Sequence, residues 1–446
     1  MHAFVPTLLF VLCAVPAAAQ DLVPKAAPQR APVVLRNAVL HTVSDGVILG
    51  GSLWFDDGVI RGIVGEGGTL KLPNGAEPVV VDLQGKHVFP GLISPHTTLG
   101  LVEIGMVRQT NDVDEVGDTT PEATAAVAWN PDSAAIPVAR RNGVLVAAVF
   151  PSGGSLPGRA SVMKVDGWTN ADMTVRADAG PIVAWPAQSG ERRGRRGPRP
   201  EGGDGAEENE GSGAKKARDR IDEVFTAARA WFDARKTDPS VPLDIRHEAL
   251  VPALRGEVPV FLLADEQEQI ESAVLWATGR GLRAVVVGGR DAALCAGLLT
   301  DRRVPVILDG VHRLPRRDDS PYDEAFTLPA RLQEAGVRFC IGGGTDFAND
   351  RNLPYHAATA AAFGLGRQRA LQAITLDAAK ILGVDDRLGS LSVGKDATLF
   401  VADGHPFDLK TKIEMAFVSG RQIDLRNKQT ELAAKYRERY RQLRAK

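Results

Sequence analysis

His96 and the side chain at position 98 suggest metal chemistry. They follow an apolar run from Val88 to Pro95, and position 98 is a threonine. Alternate residues of a β-strand point to the same side, so both side chains should project from one strand end toward one point. Two imidazoles there would hold a cation, but a hydroxyl is a poor second ligand, since catalytic zinc sites generally use three nitrogen, sulfur or carboxylate ligands. The spacing therefore predicts that His96 and Thr98 face one point, where His96 is the better metal ligand.

A second candidate lies near the C-terminal end, where Gly342-Gly-Gly-Thr-Asp346 follows the apolar segment Phe339–Ile341. As an unaided base, the Asp346 carboxylate could contribute about a hundredfold to ten-thousandfold by proton transfer. Each residue also has a plainer interpretation. His96 could be a hydrogen-bonded imidazole at a strand end, and Asp346 a turn or helix-capping carboxylate.

Further polar side chains follow predicted strands and should reach the same rim. Asp265 comes two residues after Leu263, Asp309 follows the segment 304–308, and His312 comes three residues later. Together with His96 and Asp346 they could bind one divalent ion, zinc before manganese or magnesium. Alternatively, the protein binds no metal ion.

The elements that must position these residues alternate between short apolar strands and helices. The predicted strands are 88–94, 144–150, 258–263, 284–287, 304–308 and 339–341, with strands three and four somewhere in 160–186. Continuously apolar strands with intervening helices indicate a parallel sheet covered on both faces. We predict an α/β fold, a (β/α)8 TIM barrel over residues 88–388.

Both ends of the chain predict additional β-structure. Residues 33–87 contain short strands punctuated by Asp-Gly, Gly-Gly and Asn-Gly pairs, and residues 389–425 return to strands. The two segments predict one small β-sandwich built from both termini. Residues 428–446 carry Leu432, Tyr436 and Tyr440 at four-residue spacing, which predicts an amphipathic helix that packs on the barrel or on a second subunit.

Composition excludes several classes of partner. The 446 residues carry a formal net charge of -2, so we expect neither a nucleic acid nor a membrane as partner.

Residues 1–19 have an apolar run before Ala17-Ala-Ala19, which predicts a signal peptide and an exported, periplasmic or secreted protein. The charged, glycine-rich segment 189–219 is predicted to be a disordered insertion. Cys295 and Cys340 lie in apolar surroundings and are predicted to be buried thiols.

From about residue 33 to 425 the chain resembles the amidohydrolase superfamily, in particular secreted, imidazolonepropionase-like members. The likeness is carried by Pro90-Gly-Leu-Ile93 with His96, by Gly344-Thr-Asp346 and by the segments Ala370–Thr375 and Gly389–Leu399. It implies a barrel with a small sandwich, a divalent metal and hydrolysis of carbon-nitrogen bonds other than ordinary peptide bonds. It also predicts that Asp346 is catalytic.

The chain departs from the pattern that this resemblance implies for the metal site. Thr98, Leu263 and Gly288 stand where the family has histidines, and no lysine lies near residues 184–186 to be carboxylated. The resemblance therefore predicts a degenerate metal site.

Two functions follow. The first is a hydrolase with a reduced or rebuilt metal site, acting on a small molecule. The second is an inactive pseudoenzyme that binds a ligand or stabilises a partner subunit. In either case we expect a homodimer or pairing with a related barrel.

Overall fold

Two β-sheets organise the chain, whose computed structural model describes residues 21–75, 77–187, 206–344 and 346–445. The predicted signal peptide, residues 1–19, lies outside this range. The strands in chain order are β1 (Val33–His41), β2 (Val47–Asp56), β3 (Val59–Val64), β4 (Val79–Asp82), β5 (His87–Pro90), β6 (Leu92–Thr97), β7 (Val144–Val149), β8 (Gly158–Lys164), β9 (Thr174–Ala184), β10 (Val260–Ala264), β11 (Ala284–Gly288), β12 (Val306–Leu308), β13 (Phe339–Ile341), β14 (Leu399–Ala402), β15 (Ile413–Val418) and β16 (Arg421–Ile423).

Strands β6 to β13 form the barrel sheet, in which each strand lies beside its neighbour in sequence. The end strands β13 and β6 lie against each other, so the sheet is nearly closed. Strands β9 to β13 are parallel, and so are β6 and β7. The predicted barrel is therefore present in outline.

The third barrel strand departs from the predicted (β/α)8 pattern. Strand β8 runs antiparallel to both β7 and β9. The connections explain this reversal, because a parallel crossover needs about a dozen or more residues and usually a helix. Only residues 150–157 join β7 to β8, and 165–173 join β8 to β9. The prediction of eight parallel strands was wrong at this point.

The predicted first barrel strand, 88–94, is divided between the two sheets. Strand β5 pairs with β1 and β14 in the second sheet, whereas β6 pairs with β7 in the barrel. Gly91 lies at the junction, where a Cβ would stand 2.8 Å from Cβ of Leu145. A side chain at this position would therefore collide with the neighbouring strand.

The second sheet combines both ends of the described chain in the order β16-β15-β14-β5-β1-β2-β3, with β4 also paired to β1. Phe55 of β2 and Phe417 of β15 lie four strands apart in this order, which would separate them by about 19 Å in a flat sheet. Their ring centroids are 5.1 Å apart. The sheet therefore curls over a shared core, and this provides the two facing layers expected of a sandwich.

The helices lie mainly between the barrel strands. They are α1 (Ala125–Ala128), α2 (Ile136–Arg141), α3 (Asn170–Met173), α4 (Ala206–Thr237), α5 (Ile245–Leu254), α6 (Gln267–Gly279), α7 (Ala296–Asp301), α8 (Glu324–Glu334), α9 (Leu353–Ala360), α10 (Arg367–Ala373), α11 (Leu376–Leu382) and α12 (Lys428–Arg444), with 3-10 turns at Arg108–Thr110 and Phe347–Asn352 and a π-turn at Ala361–Leu365. No described helix is both long and apolar enough to span a bilayer.

Two predictions about segments need correction. Helix α4 begins at Ala206, so the part of the predicted disordered insertion from 206 to 219 is helical. Its alanine, glutamate, lysine and arginine residues favour a helix despite their charge. Residues 189–205 lie outside the described range. Helix α12 forms as predicted, but Leu432, Tyr436 and Tyr440 remain exposed. They do not pack on the barrel, and packing on a second subunit stays a prediction.

The thiols of Cys295 and Cys340 are free and buried, as predicted. Burial raises the pKa of Cys295 to about 12 and that of Cys340 well above its ordinary value. Neither sulfur is therefore a thiolate at neutral pH.

A buried carboxylate holds the first barrel strand to the segment that follows the last one. Asp350 is fully buried and accepts hydrogen bonds from Ser94 Oγ at 2.7 Å and from Thr97 Oγ1 at 2.6 Å. Burial raises the pKa of Asp350 to about 7, although the two hydroxyl donors oppose the shift. Asp350 thus connects β6 to the 3-10 turn after β13.

This raised pKa predicts that stability falls with rising pH. An unfolded aspartate has a pKa of about 4, so the folded protein holds an extra proton between about pH 4 and 7. The stabilisation linked to that proton is complete below about pH 4 and is lost as the pH rises through about 7. We expect the free energy of unfolding to fall by about 2 kcal/mol between pH 5.5 and 8.5 through this group.

Denaturant unfolding of Asp350→Asn at both pH values tests this expectation. The variant should lose this component of the pH dependence, whereas the exposed control Asp318→Asn should keep it. An unchanged pH dependence in Asp350→Asn would contradict the assignment.

Candidate functional site

A cavity of about 820 Å³ opens at the carboxyl ends of the barrel strands. We call it the mouth cavity. The polar side chains that line it are His96, Thr98, Ser152, Asp265, Glu266, Gln269, Arg290, Asp309 and Arg316. Phe150, Trp185 and Leu263 add apolar surface. Its size and mixed lining are typical of a small-molecule site, and its position is where barrel enzymes carry their active sites.

His96 and Asp309 form a close pair in this cavity. His96 Nδ1 lies 2.6 Å from Asp309 Oδ1, and both side chains are largely buried. A carboxylate can only accept, so Nδ1 donates its proton to Asp309, and in a neutral ring the lone pair would then lie on Nε2. The Phe150 ring meets the imidazole edge to face, with centroids 4.7 Å apart. Both contacts fix the orientation of His96.

The strand register shows what occupies the positions of the other metal ligands. Leu263 of β10 pairs with Val287, and the next pair in this register joins Ala264 to Gly288 of β11. Leu263 also pairs with Ala184 at the end of β9. The apolar Leu263 lines the mouth cavity beside Thr98. An apolar side chain and a hydroxyl therefore stand where the resemblance implied imidazoles.

Gly288 leaves no space for a side chain. Its φ is +101°, and a Cβ built on it would lie 2.4 Å from Oδ1 of Asp265. A histidine here would collide with the carboxylate and would need a left-handed backbone that non-glycine residues rarely adopt. Asp265 thus occupies the space that a side chain at position 288 would take.

The residues present do not fit the multi-ligand metal centre that the resemblance implied. Within the described part of the chain, no group of three or more histidine, cysteine, aspartate or glutamate side chains is arranged to hold a metal ion. His96 and Asp309 are joined, and Asp265 lines the same cavity. These three of the five predicted ligands are brought together at the mouth.

His312 is directed elsewhere. Its Nε2 lies 2.8 Å from Thr359 Oγ1, and its ring stacks on that of His356 at 4.0 Å. His356 Nδ1 accepts hydrogen bonds from the backbone N–H groups of Val311 and His312. Burial lowers the pKa of His312, and burial, followed by the nearby His312, lowers that of His356 to about 3. This neutral pair shapes the turn after β12.

Asp346 caps a helical turn instead of lining the mouth cavity. Its exposed carboxylate accepts hydrogen bonds from the backbone N–H of Ala348 at 3.0 Å and from Asn349 Nδ2 at 3.1 Å. Asp346 and His96 both influence the pKa of Asp350, in opposite directions, so both lie near that residue. The geometry corresponds to the capping interpretation, and a catalytic role for Asp346 stays a prediction.

Arginines and carboxylates alternate around the rim. Arg290 Nε lies 3.7 Å from Asp265 Oδ2, and Arg316 forms an ion pair with Glu266. The backbone here is fixed by Gln269 Oε1, which accepts from the N–H of Asp265 at 2.9 Å. The rim therefore places both cationic and anionic side chains beside the His96–Asp309 pair, and its two arginines can contact an anionic group of a ligand.

Sequence reasoning missed the arginines and Glu266. Glu266 and Arg290 follow closely after β10 and β11, so their place at strand carboxyl ends was a signal that could have identified them. Arg316 lies in the loop after β12, eight residues beyond Leu308. Nothing in its sequence position predicts that it reaches the cavity.

Comparisons with known proteins relate the chain to amidohydrolases. A profile described as "Amidohydrolase family" matches residues 296–425. The imidazolonepropionase of Brucella suis is 28% identical over 156 residues, 33% of this chain and 36% of that protein. Amidohydrolase tasK of Hapsidospora irregularis is 23% identical over 442 residues, 87% of this chain and 43% of that protein. The matches thus span less than half of the length of either relative.

Solved structures extend the likeness over most of the chain. The amidohydrolase from Thermotoga maritima MSB8 superposes with a TM-score of 0.75 at 25% identity, covering 88% of this chain and 100% of that one. A putative prolidase from Bifidobacterium longum, with a TM-score of 0.51 at 19% identity, covers 94% of this chain and 100% of that one and is similar in fold alone. With its barrel, its second sheet and these matches, the chain is similar to the amidohydrolase superfamily in both sequence and fold.

Proposed function

We propose that the protein is a hydrolase of carbon-nitrogen bonds other than ordinary peptide bonds, acting at the mouth cavity on a small molecule with an anionic group. The observation that carries the proposal is the 2.6 Å contact between His96 and Asp309 inside that cavity. A buried imidazole held by a carboxylate is a recurrent general base in hydrolysis. The family and its hydrolase relatives support the same reaction class.

The pair suggests how the bond would be cleaved. His96 Nε2 takes a proton from water as the water oxygen bonds to the amide carbon. The carbon-nitrogen bond then breaks, and the same proton passes to the leaving nitrogen. Asp309 stabilises the imidazolium between these steps, as the orienting carboxylate of a triad does. Arg290 and Arg316 supply positive charge for an anionic group of the substrate or for the developing oxyanion.

A second candidate function is a ligand-binding pseudoenzyme. The observation that favours it is the pair of apolar and small residues, Leu263 and Gly288, at positions where the family has histidines. A bound zinc would make hydroxide available at neutral pH, since it lowers the pKa of water from about 15.7 to about 7. The His96–Asp309 pair alone would make less hydroxide available than a bound zinc ion. The mouth would then bind a ligand without turning it over.

Two measurements separate the two functions. One is the turnover of a panel of cyclic amides and N-acyl amino acids, and the other is the metal content of protein purified without chelators. Turnover by the wild-type protein supports the hydrolase. No turnover and no metal would support the pseudoenzyme. Stoichiometric metal that is lost in Asp346→Asn would indicate a rebuilt metal centre that includes Asp346.

Substitutions of the pair should affect the rate more than binding. We expect His96→Asn to lower kcat at least about a hundredfold with little change in KM, because it removes the proton acceptor. Asp309→Asn should also lower kcat, since it no longer stabilises the imidazolium. Steady-state kinetics on the best substrate of the panel measures both effects.

The matched control is His312→Asn, which makes the same change outside the mouth cavity. It should retain activity near the wild-type level. An equal loss in His312→Asn would contradict the assignment to His96 and would favour the five-residue cluster instead.

The collision at Gly288 gives a test of the metal-site geometry. We expect Gly288→Ala to lower the free energy of unfolding by about 2 kcal/mol or more, because it adds a Cβ against Asp265 and a strained φ. Asp265→Ala in the same chain should recover the steric part. Urea unfolding measures both.

Gly297→Ala is the control, since Gly297 lies in α7 and no neighbouring atom lies within 4 Å of the position that a Cβ would take there. It should be neutral or slightly stabilising, because alanine favours a helix. If Gly288→Ala were as stable as this control, the space for a histidine at position 288 would exist after all.

A further inference from the structure

A second cavity lies at the opposite end of the barrel from the mouth. Its volume is about 560 Å³, and Pro259, Arg283, Pro305 and Arg338 line it. These residues stand at or just before the first residues of β10 to β13. Because these strands are parallel, their amino ends share one face of the barrel. We call this the basal cavity.

Basic side chains dominate the basal cavity. Six of its lining residues are cationic and one, Asp377, is acidic, an excess of five formal positive charges in a chain whose net charge is -2. The six are Arg283, Arg302, Arg303, Arg338, Arg369 and Lys380. Such a concentration of one sign in a concave site favours anions.

Most of these cations form no ion pair with a carboxylate in the described part of the chain. Arg369 forms an ion pair with Asp377. Among the described residues, none of the other five basic side chains has a carboxylate within 4.0 Å. Like charges gathered in this way repel one another, so the cavity is electrostatically unbalanced without a counter-charge.

Helix ends account for only part of this charge. Helices α6, α7 and α11 each have a lining residue in the last turn or at the C-cap, namely Thr278, Arg302 and Lys380. Each helix C-terminus carries about half an elementary negative charge, so the three offset about 1.5 of the five. A clear positive excess remains for a ligand.

Some of the guanidinium groups are already held in place. Arg338 Nη2 donates to the carbonyl of Arg303 at 2.6 Å, and Arg283 Nη1 donates to that of Gly256 at 3.1 Å. The guanidinium carbon of Arg369 lies 4.8 Å from the centroid of Phe339. Arginines that are fixed by neutral partners lose little freedom when they bind a phosphate and keep further donors for it.

We propose that the basal cavity binds a compact polyanion with two or more phosphate groups. The cavity is concave and limited in volume, which suits a small molecule more than an extended nucleic acid. Its donors are arginine guanidiniums, which match phosphate oxygens in pairs. The site is separate from the mouth cavity and independent of the proposed hydrolase activity.

Isothermal titration with inorganic tripolyphosphate on the full chain tests the proposal. We expect saturable binding that weakens as salt increases, with orthophosphate binding at least about tenfold more weakly. The double variant Arg302→Gln/Lys380→Gln removes two exposed cations that no described ion pair holds. It should weaken tripolyphosphate binding about tenfold or more.

Two controls locate the site. Lys435→Gln/Arg437→Gln makes the same change of charge on the exposed helix α12 and should bind as the wild type does. Arg61→Gln removes an exposed cation of strand β3, which lines neither cavity, and should also bind normally. Absence of saturable binding to the wild type, or an equal loss in either control, would overturn the proposal. Thermal unfolding without ligand should show that all variants remain folded.

Discussion

The buried carboxylate of Asp350 ties the beginning of the barrel to its end. It accepts hydrogen bonds from Ser94 and Thr97, which flank His96 on strand β6. The nearly closed sheet depends on such contacts, because β6 and β13 stand at the two ends of the hydrogen-bonded strand order. The same contacts set the direction in which the end of β6 presents its side chains. The geometry of the mouth cavity therefore depends on a residue that does not line it.

Sequence reasoning could predict the parts of the fold that follow from local patterns. Continuous apolar runs located β7 and β10 to β13, and the turn-punctuated ends located the second sheet. The direction of β8 was missed because apolar residues in a buried strand give no sign of its orientation. Only the lengths of the connections on either side could have indicated it.

The site was predictable to the extent that strand ends determine it. His96, Asp265 and Asp309 follow strands whose carboxyl ends meet, and all three line one cavity. Asp346 was predicted to be catalytic because a glycine-rich motif precedes it. In the structure the chain after β13 forms a 3-10 helix, and the Asp346 carboxylate caps this helix. The contact between His96 and Asp309 joins residues 213 positions apart. Its existence depends on side-chain directions at the rim, which no spacing in the sequence encodes.

The two ends of the barrel differ in how their charged side chains are arranged. At the mouth, Arg290 and Arg316 stand beside Asp265 and Glu266, so positive and negative groups alternate within a few ångströms. At the base, arginines and a lysine gather around one carboxylate. Paired charges give a site local polarity with little long-range field, whereas a one-signed cluster attracts counter-ions from a distance. The nearly neutral net charge of the chain conceals this asymmetry.

The curled second sheet has a consequence for how the chain assembles during its synthesis. Strand β5 pairs with β14, which the ribosome produces more than three hundred residues later. Until then, an apolar edge of the N-terminal strands stays open, and such edges pair readily with foreign chains. The N-terminal strands of the nascent protein can therefore complete their sheet only after residues 399–402 have been made.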